Sequence, residues 1–171
     1  MLERDKRVIE LINDLGICTR QQIQNVIFTD VHENVCLRRL AMLSKREQIK
    51  REYFNLGNNK NVYVYYSNNK PNKDTIQSDL IITDYLIQII KENTEILEIE
   101  RNTIKEDSTS NTVIKYKSKD KIKYAFLKLQ SEEHDLIKNY NQIKSKEQRE
   151  IPKLIYIIDK DLNVVKKLKF K

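Results

Sequence analysis

The spacing of apolar residues changes character near residue 48, and that change sets what the first part of the chain can fold into. Over residues 4–15, Val8, Ile9, Leu11, Ile12 and Leu15 recur with the period of an amphipathic helix, and Gly16 stands where a C-cap belongs. Thr19 followed three residues later by Gln22 forms a capping-box pattern ahead of Ile23, Val26, Ile27 and Phe28, which predicts a short second helix over 20–27. Over 32–46, Val35, Cys36, Leu40 and Leu43 share one helical face while Arg38, Arg39 and Lys45 fall outside it, a third helix with a basic outer side. The pattern then alternates. Residues 49–54 (Ile-Lys-Arg-Glu-Tyr-Phe) and 61–67 (Asn-Val-Tyr-Val-Tyr-Tyr-Ser) are rich in β-branched and aromatic side chains, and the Asn- and Gly-bearing stretch 55–60 between them predicts a β-hairpin.

Residues 68–75 combine a proline with polar neighbours and read as a linker, which divides the chain into an N-terminal domain, 1–67, and a second domain, 76–171. Leu80, Ile81, Leu86, Ile87, Ile89 and Ile90 predict a further helix over about 77–92, more apolar than the first three. Strand-like runs follow at 95–101, 112–117 and 121–129, then a helical stretch at 131–146. Pro152 introduces the apolar run Lys153–Ile158, of strand length and expected to be covered on both faces. Residues 163–171 alternate apolar and lysine residues, as an edge strand does. The expected class is α+β, with a small α/β arrangement in the second domain.

Composition narrows the function. The 171 residues carry 32 Lys+Arg against 25 Asp+Glu, a formal net charge of +7. No run of about 18 apolar residues exists, and the charged opening Leu2-Glu3-Arg4-Asp5-Lys6-Arg7 does not fit a secretory signal, so a cytoplasmic protein without membrane partners is expected. Cys18 and Cys36 fit neither a CxxC pair nor a zinc ribbon, and are expected to pack between helices. His32 is expected at the start of the third helix rather than as a metal ligand. With two glycines, two histidines and no nucleophile-elbow serine, the chain offers no phosphate loop, catalytic triad or zinc site, so no cofactor and no small-molecule ligand is expected.

Three helices and a hairpin, joined by the basic segment Leu37-Arg38-Arg39-Leu40-Ala41-Met42-Leu43-Ser44-Lys45-Arg46-Glu47-Gln48-Ile49-Lys50, resemble a winged helix-turn-helix domain. The resemblance implies that the third helix enters a DNA major groove, with the hairpin tip and the start of the second helix reaching phosphates. Charge agrees with it. Between Asn34 and Lys60 seven basic residues face two acidic ones, an excess of five, whereas over 61–171 acids offset most of the lysines. On this footing Asn34, Arg38 and Arg39 are base-facing candidates. Thr19, Arg20 and Gln21 are phosphate candidates, and Lys45, Arg46, Lys50 and Arg51 continue the basic path to a wing tip of Asn58, Asn59 and Lys60. One of Arg38 and Arg39 could instead pair with Glu33 or another acid. The series Tyr63, Tyr65, Tyr66 is expected to pack the hairpin rather than stack bases.

The second domain is similar, over the segments Ser78–Tyr85, Tyr124–Gln130, His134–Tyr140 and Ile151–Tyr156, to the replication-relaxation family of plasmids, phages and conjugative elements. That family joins a winged helix to a restriction-endonuclease-like domain. An active nuclease of this kind needs carboxylates on and ahead of the central strand to hold Mg²⁺, and here the strand reads Leu127-Lys128-Leu129-Gln130. Asp120 falls in the turn sequence Ser118–Lys121, and Glu98 and Glu100 share one strand face as the remnant of a site at most. The second domain is therefore expected to be catalytically inactive. The resulting expectation is a sequence-specific double-stranded DNA-binding protein of a mobile element, a homodimer acting in replication, conjugative transfer or transcription control and not an enzyme. The alternatives are a protein-interaction module or inhibitor that binds a host factor, and a Mg²⁺-dependent nuclease with a remnant site.

Overall fold

Gly16, with φ of 80°, closes the first helix by donating its N–H to Ile12 O at 2.9 Å, and its positive φ turns the chain where an L side chain would be strained. The computed structural model describes residues 2–57, 60–92, 94–104, 109–118, 120–135 and 154–169. Over these the protein is mixed α+β, with four α-helices and two β-sheets. The chain forms two compact units, Met1–Gln88 and Ile89–Lys171.

In the first unit α1 (Glu3–Leu15) buries Val8, Ile12 and Leu15. A strand that periodicity did not reveal, β1 (Ile17–Thr19), comes next; three residues are too few to display an alternation. It pairs antiparallel with β3, Cys18 opposite Tyr65, so Cys18 packs from a strand and not from a helix as expected. Thr19 then caps α2 (Arg20–Ile27). Its Oγ1 accepts from Gln22 N at 3.2 Å, while its own N–H donates to Gln22 Oε1 at 2.8 Å. In α3 (Glu33–Lys45) Cys36, Leu40 and Leu43 are buried, and His32 caps the start, its Nδ1 accepting from Asn34 N at 3.3 Å. The hairpin is β2 (Lys50–Asn55) and β3 (Asn61–Tyr66), in a sheet of order β1-β3-β2.

One face of this sheet is apolar and needs a cover. Ile17, Phe54, Val64 and Tyr66 form a cluster with Ile76 and Leu80 of α4 (Ile76–Lys91), each side chain buried and so contributing on the order of 2 kcal/mol. Polar contacts fix the helix there. Gln22 Nε2 donates to Leu80 O at 3.0 Å and to Asp84 at 2.8 Å, and Thr83 Oγ1 donates to Asp79 O and Ile17 O. This corrects the expected boundary. Residues 68–75 do not separate two domains, because Pro71 is buried, Lys70 pairs with Glu52 at 3.0 Å, and the helix beyond covers the hairpin; the division falls within α4, after Gln88.

The second unit is a five-stranded sheet of order β4 (Ile96–Ile104), β5 (Thr109–Ser118), β6 (Lys121–Leu129), β7 (Leu154–Ile158) and β8 (Val164–Lys169). Every neighbouring pair is antiparallel except β6 and β7, which run parallel, Leu127 opposite Tyr156. A parallel pair requires a crossover. That connection opens with a 3-10 helix, Gln130–Asp135, where the start of an α-helix was expected; the rest of the expected 131–146 helix lies outside the described residues. In β7 Ile155, Ile157 and Ile158 are buried, covering both sides of the strand, and β8 is a lysine-bearing edge, both as its sequence implies. Tyr116 and Tyr156, two strands apart, join hydroxyl to hydroxyl on the side of the sheet where Ala125 of β6 leaves room between them.

Candidate nucleic-acid interface

Whatever α3 leaves outside follows from what it buries. With Cys36, Leu40 and Leu43 turned inward, Asn34, Leu37, Arg38, Ala41 and Lys45 emerge at spacings of three and four as a single exposed stripe, and Arg46 continues it beyond the last turn. Arg38 makes no ion pair among the described residues. Leu37 was not foreseen as a surface residue, yet it is 42% exposed in the middle of the stripe. An α-helix of this width fits the major groove, and Asn34 and Arg38 are the side-chain types that form paired hydrogen bonds to adenine and guanine edges.

Three of the expected contacts are occupied by the protein itself. Arg39 grips Asp5 of α1 through both guanidinium arms, Nε donating to Oδ1 at 2.8 Å and Nη2 to Oδ2. Asp5 is 1% exposed, so Arg39 serves as the counter-charge of a buried carboxylate and is not base-facing. Arg20 turns toward the start of α3 and pairs with Glu33 at 3.1 Å. Its positive charge also lies close enough to Cys36 and Tyr65 to oppose the rise that burial imposes on both. Of the three candidates at the start of α2, the Thr19 hydroxyl is used by the cap and Arg20 by Glu33, while Gln21 is exposed and donates to Asn25 at 3.1 Å.

The hairpin sorts its residues by parity. Lys50, Glu52 and Phe54 point to the side that α4 covers, and Arg51, Tyr53 and Asn55 to the other. Lys50 is exposed but stands on the opposite side of β2 from Arg51. Arg51 stands opposite Tyr65, where its charge opposes the rise that burial imposes on that hydroxyl, and places its guanidinium 4.9 Å from the Tyr63 ring centre. Tyr65 and Tyr66 are buried, as hairpin packing requires; Tyr63 is not, and with Tyr53 it forms a surface pair that the alternating pattern alone did not single out. At the tip Asn55 Oδ1 accepts from Gly57 N at 2.8 Å, and Lys60 is exposed; Asn58 and Asn59 lie outside the described residues.

In the second unit Lys128 is 3% exposed on β6, beside Phe126. Asp120 occupies the β5–β6 turn at φ of 60°, while Glu98 stands opposite Lys115, with which it pairs at 3.9 Å, three positions or roughly 10 Å back along the ladder. Among the described residues no group of three or more His, Cys, Asp or Glu side chains is placed to hold a metal ion, and no helix is long and apolar enough to cross a membrane.

Compared with protein-family models, with curated proteins and with solved structures, the chain finds no match.

Proposed function

We propose that residues 1–88 form a winged helix-turn-helix unit that binds double-stranded DNA sequence-specifically, in a mobile genetic element, where the protein serves replication, conjugative transfer or transcription control by binding and not by catalysis. The observation that carries the reading is the α3 stripe. Asn34, Arg38, Lys45 and Arg46 are exposed on one helix, with the only acid of the helix, Glu33, drawn off by Arg20. The order α1-β1-α2-α3-β2-β3, with β1 joined to the hairpin's second strand, supports it because a winged helix is built in that order. The mobile-element setting rests on the quoted segments alone, and a homodimer on the usual pairing of such readers with palindromic sites. A Mg²⁺-dependent nuclease has no comparable support, since Glu98 and Asp120 are separated along the sheet.

The test is duplex binding across a salt series. Log affinity is expected to fall linearly with log salt, with a slope on the order of −3 to −4 if Lys45, Arg46, Arg51 and Lys60 meet phosphates. A chain that retains no duplex at 50 mM salt would instead direct attention to a protein partner.

A further inference from the structure

The two faces of the hairpin have opposite fates. Phe54, Val62, Val64 and Tyr66 pack beneath α4, whereas Tyr53 and Tyr63, directly opposed in register, stand 56% and 46% exposed on the other side. Their ring centres are 5.1 Å apart and inclined at 60°, an edge-to-face pair. Arg51 lies over Tyr63 and stands opposite buried Tyr65 in the ladder, so the cation and both rings lie together on one face. A cross-strand aromatic pair strengthens a hairpin by less than about 1 kcal/mol. That gain does not require the rings to stay in water beside a fixed cation. On this face the two strands carry charge of one sign as well. The only acid on β2 and β3 is Glu52, which points to the opposite face and is paired with Lys70.

A flat exposed ring takes a planar π-system, and a fixed guanidinium beside it takes an anion. A nucleotide offers both, but in a duplex its base is already stacked between neighbours. We propose that Arg51, Tyr53 and Tyr63 form a stacking platform for an unpaired nucleotide, the tyrosines receiving the base and Arg51 its phosphate. Together with α3 the platform suits the first unit to a duplex that is opened beside the bound site, a junction of double and single strand. Only the duplex half of that statement rests on the function proposed above; the platform binds a single strand in its own right.

The experiment uses the full chain and a short oligothymidylate carrying one central 2-aminopurine, whose fluorescence is quenched by ring stacking. Native protein is expected to quench it, and Tyr53→Leu and Tyr63→Leu each to weaken single-strand affinity by about tenfold. Tyr53→Phe should bind as the native chain does, because stacking needs the ring and not the hydroxyl. Thermal unfolding shows whether the leucine variants keep the fold, and fully paired duplex affinity should stay within about twofold for all three. Single-strand binding without quenching, or quenching that survives both leucine variants, would overturn the platform. A tyrosine-dependent single-strand affinity in a chain that ignores duplexes would uphold the platform and remove the α3 reading.

Discussion

Arg39 of α3 holds Asp5 of α1 through two parallel hydrogen bonds, and the carboxylate so held is almost wholly excluded from water. The pair fixes the third helix against the first, and it separates two neighbouring arginines into different trades. Arg39 stabilises the fold; Arg38, one position earlier, stays exposed.

Arg39→Ala leaves a carboxylate buried without its counter-charge and is expected to cost about 2–4 kcal/mol, the lower part of the range for a broken buried pair because Arg39 itself is partly solvated. Arg38→Ala should change stability by less than about 0.5 kcal/mol. Asp5→Leu combined with Arg39→Leu should recover most of the loss, since the cost lies in the unpaired charge. Urea unfolding of the four chains measures all three; equal losses for Arg38→Ala and Arg39→Ala would contradict the division of roles.

Gln22 makes three contacts: it completes the cap of its own helix, and its amide joins α2 to α4 by reaching Leu80 O and Asp84. Gln22→Ala should therefore exceed the ~1 kcal/mol of an ordinary cap loss and reach about 2–3 kcal/mol, with a buried carbonyl left short of a donor. Gln22→Glu keeps the cap acceptor but removes the amide donor and faces Asp84, so it should be at least as harmful. A loss no greater than a simple cap would show that α4 is held by its apolar contacts alone.

These residues also show where sequence reading succeeds and where it stops. The helices of the first unit were legible to within a residue or two, because each carries its own period and its own cap, Thr19 with Gln22 above all. The hairpin was legible for the same local reason. What could not be read is long-range: a three-residue strand made only by pairing with β3, a polar segment at 68–75 that is nonetheless packed, and the choice between Arg38 and Arg39, which Asp5 decides from thirty-four positions away. Helical periodicity placed both arginines outside the apolar stripe; only the packing of α1 on α3 distinguishes them. Tyr63 pairs with Tyr53 across the hairpin yet stays exposed, because an alternating strand says which residues share a face and not which face is covered.

Gly57 turns the hairpin at φ of 80°, and a Cβ there would meet nothing within 4 Å. The cost of Gly57→Ala is thus conformational alone, about 1–2 kcal/mol, and Gly57→Asn should cost less because asparagine tolerates the left-handed region. If both variants unfold at the native denaturant midpoint, the turn does not constrain the hairpin.

Burial raises the Cys36 thiol from 9.0 to about 11 and raises Tyr65 above its ordinary value, in each case because the charged form would be desolvated. Both groups are neutral in the folded chain near pH 8. Their contribution to stability is intact below about pH 9 and is lost as the pH climbs toward 11, because the unfolded chain releases these protons first. Cys36→Ala should flatten the alkaline fall in stability between pH 9 and 11. In native protein at pH 8 a thiol reagent should reach Cys18 and Cys36 only as fast as the fold opens, both being buried. Immediate reaction of Cys36 would contradict the packing of α3, and of Cys18 that of β1.

The central claim is that the exposed stripe of α3 chooses a DNA sequence. Repeated selection from a random duplex pool by the native chain and by Arg38→Ala tests it most directly. The native chain should enrich one motif, while Arg38→Ala keeps a salt-dependent affinity for duplexes but loses the motif at the positions that Arg38 reads. Enrichment of the same motif by both chains, or of none by the native chain, would contradict it.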